Sequence, residues 1–231
     1  GNVKIGNGTK IHPLVHISGN TDIGKSNTIF QFCSIGSPPQ DLKFNGEKNF
    51  LKIGDSNVFR EGCTVNPGTE GGGLITEIGN NCLLMTGAHI AHDCIVGDNV
   101  VFANQATLGG HVIVSNNAVL GGLCGIHQFC RIGELAMIGG LSAVHNDVIP
   151  YGLVTGNGAK LEGINLIGLK RAGYTSKNIK DFVKIFNIIF SSNSIKTKSS
   201  DFKNSKNELV QNLCAFIDDN SNRGLCSYAK K

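Results

Sequence analysis

Tryptophan is absent from this chain, and proline and methionine occur only five times and twice. The absence of tryptophan, set beside 31 glycines, disfavours a helical bundle and suits an architecture with many tight turns. No apolar run approaches the roughly 20 residues that would span a bilayer, and no charged-then-apolar leader precedes a small-residue cleavage site. A soluble cytoplasmic protein with no stable membrane insertion is therefore expected. Charge is also sparse, at 16% of residues against 40% hydrophobic, which excludes a disordered or fibrous chain and leaves enough apolar material for one large or two modest domains. The chain opens on Gly1 and enters a repeat within a few residues, which is compatible with an upstream segment and does not decide whether there is one.

Charge of one sign is missing from neither half, but its distribution is uneven. Residues 1–155 carry 8 Lys+Arg against 11 Asp+Glu, whereas residues 156–231 carry 13 against 6. A basic C-terminal third on an acidic body suits an acidic macromolecular partner, or equally a solubilising helical surface. No nucleic-acid partner is expected.

What the sequence does have is a period of six. An aliphatic residue or Phe stands at Ile78 and at every sixth position after it, through Leu84, Ile90, Val96, Phe102, Leu108, Val114, Leu120, Ile126, Ile132 and Ile138 to Val144. The same spacing runs from Ile5 to Ile35, and again over Ile53, Phe59 and Val65. A helix needs a period near 3.6 and a plain strand a period of two, so neither accounts for an unbroken six. A hexapeptide solenoid does: three hexads form one triangular coil, and successive coils stack as parallel strands about 4.8 Å apart. About seven coils make a prism on the order of 30 Å long. Glycine often follows the aliphatic, as at Gly24, Gly36, Gly54, Gly79, Gly97 and Gly133, which reads as a turn after each short strand. Four positions after the aliphatic stand small residues such as Thr9, Ala88, Ala106, Ala118, Ala136 and Ser142, which must also face inward.

Residues 37–52 (SPPQDLKFNGEKNFLK) and 68–77 (GTEGGGLITE) break the rhythm and read as loops leaving the prism, where function tends to collect. Cys33, Cys63, Cys82, Cys94, Cys124 and Cys130 all fall on the small inward position and read as buried structural thiols, not disulfides or zinc ligands; Cys214 and Cys226 stay unassigned. After Val154 the pattern turns helical. Asn165–Arg171 is a short helix candidate closed by Gly173. Thr175 or Ser176 can cap a second with Ile179, Phe182, Val183, Phe186, Ile189 and Phe190 on one face, and a third runs near Asn207–Asp218. The domains expected are a parallel β-helix over 1–155 and a helical unit over 156–231.

The segment GAHIAHDCIVG, residues 87–97, holds two histidines three apart and a carboxylate next to the second. It reads as a metal site, a catalytic base with its partner, or polar residues at a bend of the repeat. Stacking by one coil decides which residues meet: Ala91 with Gly109 and His127, His92 with Gly110 and Gln128, and Asp93 with His111 and Phe129. Acid, base and amide groups thus share one edge. Histidine beside aspartate supplies a general base with its tautomer fixed, and Gly110 offers an unobstructed backbone N–H to an oxyanion, which is acyl-transfer geometry. A histidine trio holding zinc between subunits is the sharper rival, and edge histidines bonding to backbone are the plainer one.

The hexad array, together with HIAHDC (89–94), NQATLGGH (104–111), HQF (127–129), QDLKF (40–44) and NLIGLKR (165–171), resembles the UDP-N-acetylglucosamine acyltransferases of lipid A biosynthesis over essentially the whole chain. The resemblance implies a mainly β fold, a left-handed parallel β-helix followed by C-terminal helices, although general crossover rules favour the other hand. It implies transfer of an acyl group, usually 3-hydroxyacyl, from acyl carrier protein to the glucosamine 3-hydroxyl of UDP-N-acetylglucosamine. Carried over by position, His92 is the general base, Asp93 its orienting carboxylate and Gly110 the oxyanion donor. His89, His111, His127, Gln128, Asp41 and Lys43 bind or position the two substrates, Asn165 and Arg171 contact donor and nucleotide in a neighbouring subunit, and Gly140 helps to set acyl length. A homotrimer is implied, with no metal or diffusible cofactor, since phosphopantetheine arrives on acidic acyl carrier protein, which gives the basic C-terminal third a partner. The family also has further N-terminal hexads. Departures from its pattern are Ile167 in place of a frequent Glu, Ala172 in place of a second Arg and Gly158 in place of a His. Rival functions are the related N-acyltransferase, a metal-dependent hydratase and a non-catalytic trimeric scaffold.

Overall fold

The computed structural model describes residues 1–229. Short strands recur up to Ala143–Val144 and gather into three parallel sheets, one on each face of a triangular prism. One coil passes through Ile95–Val96 on the first face, Val101–Phe102 on the second and Thr107–Leu108 on the third. The next coil stacks on it in register, Val96 beside Val114, Phe102 beside Leu120 and Leu108 beside Ile126. The first and third faces have seven strands each and the second has nine. The architecture is a left-handed parallel β-helix with a helical C-terminus.

The hexad works because its aliphatic residue faces the axis: Ile90, Phe102, Leu108 and Leu120 have no exposed surface at all. Each such side chain contributes about 1.5–3 kcal/mol by leaving water, and the repetition over three faces makes one continuous core. Ala88, Ala106, Ala118 and Ala136 fill the corners beside them, as do six of the cysteines. All eight cysteines are free and buried. Cys214 and Cys226, the two outside the repeat, donate to the carbonyls of Ser199 and Asn146 and belong to the packing of the C-terminal unit.

Each corner turns through one residue at positive φ, and from Asn81 to Leu141 such a residue recurs at every sixth position, three after the aliphatic. Apart from Gly36, itself at positive φ, the named glycines that directly follow the aliphatic answer a different need. At Gly54 a Cβ would press to 2.6 Å from the Gly79 carbonyl oxygen, so close stacking of coils, not positive φ, requires glycine there. Beside that column a ladder of side chains ties the coils together. Asp55, Asn80, Asp98 and Asn116 each accept a backbone N–H from the preceding coil.

Beyond the last coil the chain is not yet helical. Gly152–Thr155 joins the second face in parallel and Lys160–Ile164 returns antiparallel to it, with Gly156 and Gly158 at positive φ in the reversal. Helix α1, Leu166–Arg171, starts at Asn165, whose side chain accepts the Gly168 N–H. It ends where Gly173 N–H reaches the Lys170 carbonyl and Tyr174 N–H the Leu169 carbonyl, with Gly173 in the left-handed region. Helix α2, Ser176–Phe190, is capped by Thr175 and buries Ile179, Phe182, Phe186, Ile189 and Phe190, with Val183 half-buried. Helix α3, Ile195–Ser200, is an addition to the expected set: its six mostly polar residues show no periodicity. Helix α4, Glu208–Asp218, buries Leu209, Val210, Leu213, Cys214 and Ile217. Arg131 joins this unit to the prism, bonding Asp147 and Asp219 at 2.7 Å each while its guanidinium lies over Phe216. Among the described residues no helix is long and apolar enough to cross a membrane.

Candidate active site

The corner between the third and first faces holds His92-Asp93, Gly110-His111 and Gln128-Phe129 on three successive coils. Backbone bonds fix the stack, with His111 N–H donating to the His92 carbonyl at 3.0 Å and Phe129 N–H to the Gly110 carbonyl at 3.1 Å. Both loops leave the prism at this same corner, one between Ser34–Ile35 and Phe50–Ile53, the other between Thr64–Val65 and Ile75–Ile78. The strands resume at Phe50 and Ile75, inside the segments 37–52 and 68–77 that the broken rhythm marks as loops. Pairing of Leu51 with Thr21 and of Thr76 with Leu51 restores the register across both insertions.

Asp93 sits at φ 59° and its carboxylate is fully buried. A buried charge needs donors, and it has three: Thr69 N–H to Oδ1 at 2.8 Å, the Thr69 hydroxyl to Oδ2 at 2.6 Å, and His92 Nδ1 to Oδ2 at 2.7 Å. Its own N–H donates to Thr76 Oγ1 at 2.8 Å. With Nδ1 turned to the carboxylate, Nε2 is the ring nitrogen of His92 left without a partner among the described residues. The ring lies against the Gly110 α-carbon, where an added methyl group would stand 2.6 Å from Nε2. The amides on either side of Gly110 are engaged, Gly109 N–H with the Ile126 carbonyl and His111 N–H with that of His92, whereas Gly110 N–H has no acceptor among the described residues. An unpartnered ring nitrogen and an unpartnered backbone N–H thus occur on adjacent coils, the kinds of group that acyl transfer uses as base and oxyanion donor.

The surrounding groups are arranged around this pair. His111 meets His92 edge-on at 5.0 Å and stacks flat on Phe129 at 4.3 Å. Burial holds its pKa below the ordinary value, with Asp93 opposing the shift, and the charges of Asp41 and Lys43 reach it from the first loop. Burial likewise lowers the pKa of His89, and the charge of His92 adds to the effect; its Nδ1 lies 2.7 Å from Thr64 Oγ1. His127 and Gln128 are exposed at the next coil, His127 tilted against His145 at 5.6 Å.

Three expected residues stand elsewhere in the chain. Gly140 is exposed at the corner between the second and third faces. Asn165 and Arg171 line a groove of about 830 Å³ over the second face, with Val119, Met137 and Leu153 beneath. That face lies opposite the His92 corner. Asn165 is also a structural residue, since its amide donates to the Leu135 carbonyl at 2.9 Å while its oxygen caps α1. Ile167 is 65% exposed in this groove, so a nonpolar side chain faces the space where a Glu would offer a carboxylate.

His92, Asp93 and His111 form the one group among the described residues whose potential metal-ligand atoms lie within 4.8 Å of one another. Both Asp93 oxygens already accept hydrogen bonds, one of them from the His92 nitrogen that faces it, so the arrangement fits a hydrogen-bonded base better than a set of free ligands. The hexad spacing does not reach Thr69, which lies in the inserted loop, whereas Thr76 sits in register on the strand Ile75–Ile78 but is not singled out by the sequence motifs. The signal that was available is the triple glycine after Thr69: Gly72 packs so closely on the Asp93 carboxyl that a Cβ there would overlap it. Arg223 is the other unforeseen neighbour, with its Nε 2.7 Å from the Gln128 carbonyl and its guanidinium 5.9 Å from the Phe129 ring centre.

Comparison with known proteins gives the family. A family model described as Udp N-acetylglucosamine O-acyltransferase, domain 2, matches residues 147–226, and one described as bacterial transferase hexapeptide matches residues 75–110. The chain is 45% identical over 205 residues to the acyl-acyl-carrier-protein UDP-N-acetylglucosamine O-acyltransferase of Nautilia profundicola, a match covering 88% of this chain and 79% of that protein. To the enzyme of the same name from Rickettsia bellii it is 47% identical over 221 residues, covering 94% and 78%. A solved structure of LpxA from Acinetobacter baumannii is similar with a TM-score of 0.94 at 40% identity, over 97% of this chain and 88% of that one.

Proposed function

This chain belongs to the UDP-N-acetylglucosamine O-acyltransferase family, and from that premise we propose that its His92 corner moves an acyl group from acyl carrier protein to the 3-hydroxyl of UDP-N-acetylglucosamine, an early step toward lipid A. The observation that carries the assignment of roles is the hydrogen bond from His92 Nδ1 to Asp93 beside the unengaged Gly110 N–H.

His92 Nε2 takes the proton of the sugar 3-hydroxyl as its oxygen attacks the thioester carbonyl. The new C–O bond makes a tetrahedral centre whose oxyanion accepts the Gly110 N–H. Collapse breaks the C–S bond, and the departing thiolate of the phosphopantetheine arm takes the proton back from Nε2. Throughout, Nδ1–H stays on Asp93, which stabilises the transient imidazolium. A positioned base is typically worth 10²- to 10⁴-fold and an oxyanion donor about 10²- to 10³-fold. The cycle calls for no metal or diffusible cofactor.

A homotrimer completes the site. The corner is an open edge in one chain, and Asn165 and Arg171 lie on the opposite face, so they reach a His92 corner only in a neighbouring subunit. Leu123 and Leu141, 56% and 73% exposed, leave apolar surface at the second-to-third corner for that contact. His89, His111, Asp41, Lys43, His127 and Gln128 then position the substrates around His92, and the lysines of the C-terminal helices face the acidic carrier protein. On this reading the protein works in the cytoplasm beside its donor. Incubation with UDP-N-acetylglucosamine and a panel of acyl carrier protein thioesters tests it by product mass. A sugar nucleotide heavier by one acyl group is expected; a folded trimer that yields no such product with any thioester contradicts it.

A further inference from the structure

Asp93 is held mainly by a residue to which the catalytic cycle assigns nothing. Thr69 reaches both carboxylate oxygens, with its N–H on Oδ1 at 2.8 Å and its hydroxyl on Oδ2 at 2.6 Å, and it is itself only 4% exposed. Oδ2 is the oxygen that also receives His92 Nδ1 at 2.7 Å. Thr69 and His92 therefore share one acceptor atom, and the direction of the Thr69 hydroxyl decides where that oxygen points. The packing leaves little freedom, since Gly72 lies against the Asp93 carboxyl on the same short turn, Glu70–Gly72.

The turn is anchored in its own right. Asn49 donates to the Gly68 carbonyl at 2.7 Å and Glu47 accepts the Glu70 N–H at 3.2 Å, both from the loop that bears Asp41 and Lys43. The two loops thus form one brace behind the carboxylate.

We infer that Thr69 is a positioning residue for acyl transfer, acting through Asp93 to aim His92 Nε2 at the sugar hydroxyl. The inference rests on the reading of His92 as the base. Thr69 touches neither substrate in this scheme, so its loss should lower kcat and leave both KM values alone. A hydrogen bond to a charged group that orients a base supports an expected loss of about ten-fold or more.

The test uses the full chain with Thr69→Val, which keeps the shape and the backbone N–H, and Thr69→Ser, which keeps the hydroxyl. Thr69→Ala, which only removes atoms, carries the same expectation if the valine is not accommodated. Expected are a kcat lowered about ten-fold or more in Thr69→Val, KM for sugar nucleotide and thioester donor within about two-fold of the parent, and recovery of most of the rate in Thr69→Ser. In a His92→Ala background, Thr69→Val should change the residual rate no further. A parental kcat in Thr69→Val and Thr69→Ala, or equal impairment in the serine variant, overturns the inference, and so does a full Thr69→Val effect without His92. The premise is checked separately: undiminished turnover in His92→Ala removes the base assignment and this inference together, whereas a normal Thr69→Val beside an inactive His92→Ala removes only the role of Thr69.

Discussion

The imidazole of His92 rests on the α-carbon of Gly110, so that a methyl group added at Gly110 would stand 2.5 Å from Cε1 and 2.6 Å from Nε2. No atoms can share that space, and the ring is the part that would give way. Gly110 is not among the residues at positive φ, so alanine there meets no backbone strain of its own. Gly110→Ala should therefore fold, lose the aim of the imidazole and lose turnover by about 10²-fold or more. Steady-state kcat read beside a thermal melt checks this; parental turnover with a parental melt would mean that the ring and Gly110 do not cooperate.

The acyl-length ruler can be probed at the other corner. The nearest atom to a Cβ at Gly140 is the Gly122 carbonyl oxygen at 3.2 Å, and the position is exposed. A longer side chain would extend outward, into the space that the proposed homotrimer would give the acyl tail. Gly140→Met should shorten the preferred acyl chain, since each excluded methylene forfeits about 0.8 kcal/mol of burial. Competition between thioesters of different length, read by product mass, shows the shift; an unaltered preference assigns the ruler to other residues.

Acid should weaken the fold in a way traceable to His89 and His111. Burial lowers both pKa values, so the folded chain binds these protons less readily than the unfolded chain, in which histidine titrates near about 6.5. Their contribution is intact above about pH 6.5 and declines as the pH falls from there toward the lowered folded values. Urea unfolding at pH 7.5 and 5.5 should show a drop that His89→Gln reduces. Equal drops in both proteins would show that His89 carries no such linkage.

Burial pushes the thiols of Cys82 and Cys124 up to about 11 and those of Cys94 and Cys130 up to about 12. Thiolate is the reactive form, so at pH 8 a disulfide reagent should label essentially none of these four in the native protein and all of them in urea. Rapid native labelling would show that the prism opens on the time scale of the assay.

Much of this is legible in the sequence, because a six-residue period converts position along the chain directly into position in space. Ile78 to Val144 placed the core, and one-coil stacking set His92 over Gly110 and Asp93 beside His111. Asp93, His111 and Phe129 all adopt positive φ at their corner, yet none is a glycine, so composition carried no hint of the turn they share. Thr69 lies where an insertion breaks the register, and only the folded loop brings it to the carboxylate. The hairpin of Gly152–Thr155 and Lys160–Ile164 was hidden because strands of four and five residues are too short to display an alternation. Helix α3 escaped for the same reason, as six mostly polar residues have no apolar face to find.

Everything in the catalytic assignment passes through one nitrogen, His92 Nε2, and its removal is the most direct measurement. The turnover of His92→Ala with UDP-N-acetylglucosamine and an accepted acyl carrier protein thioester should fall by about 10²- to 10⁴-fold, with an unchanged melting temperature and oligomeric state. Turnover within a few-fold of the parent, in a variant folded as the parent is, would contradict the account.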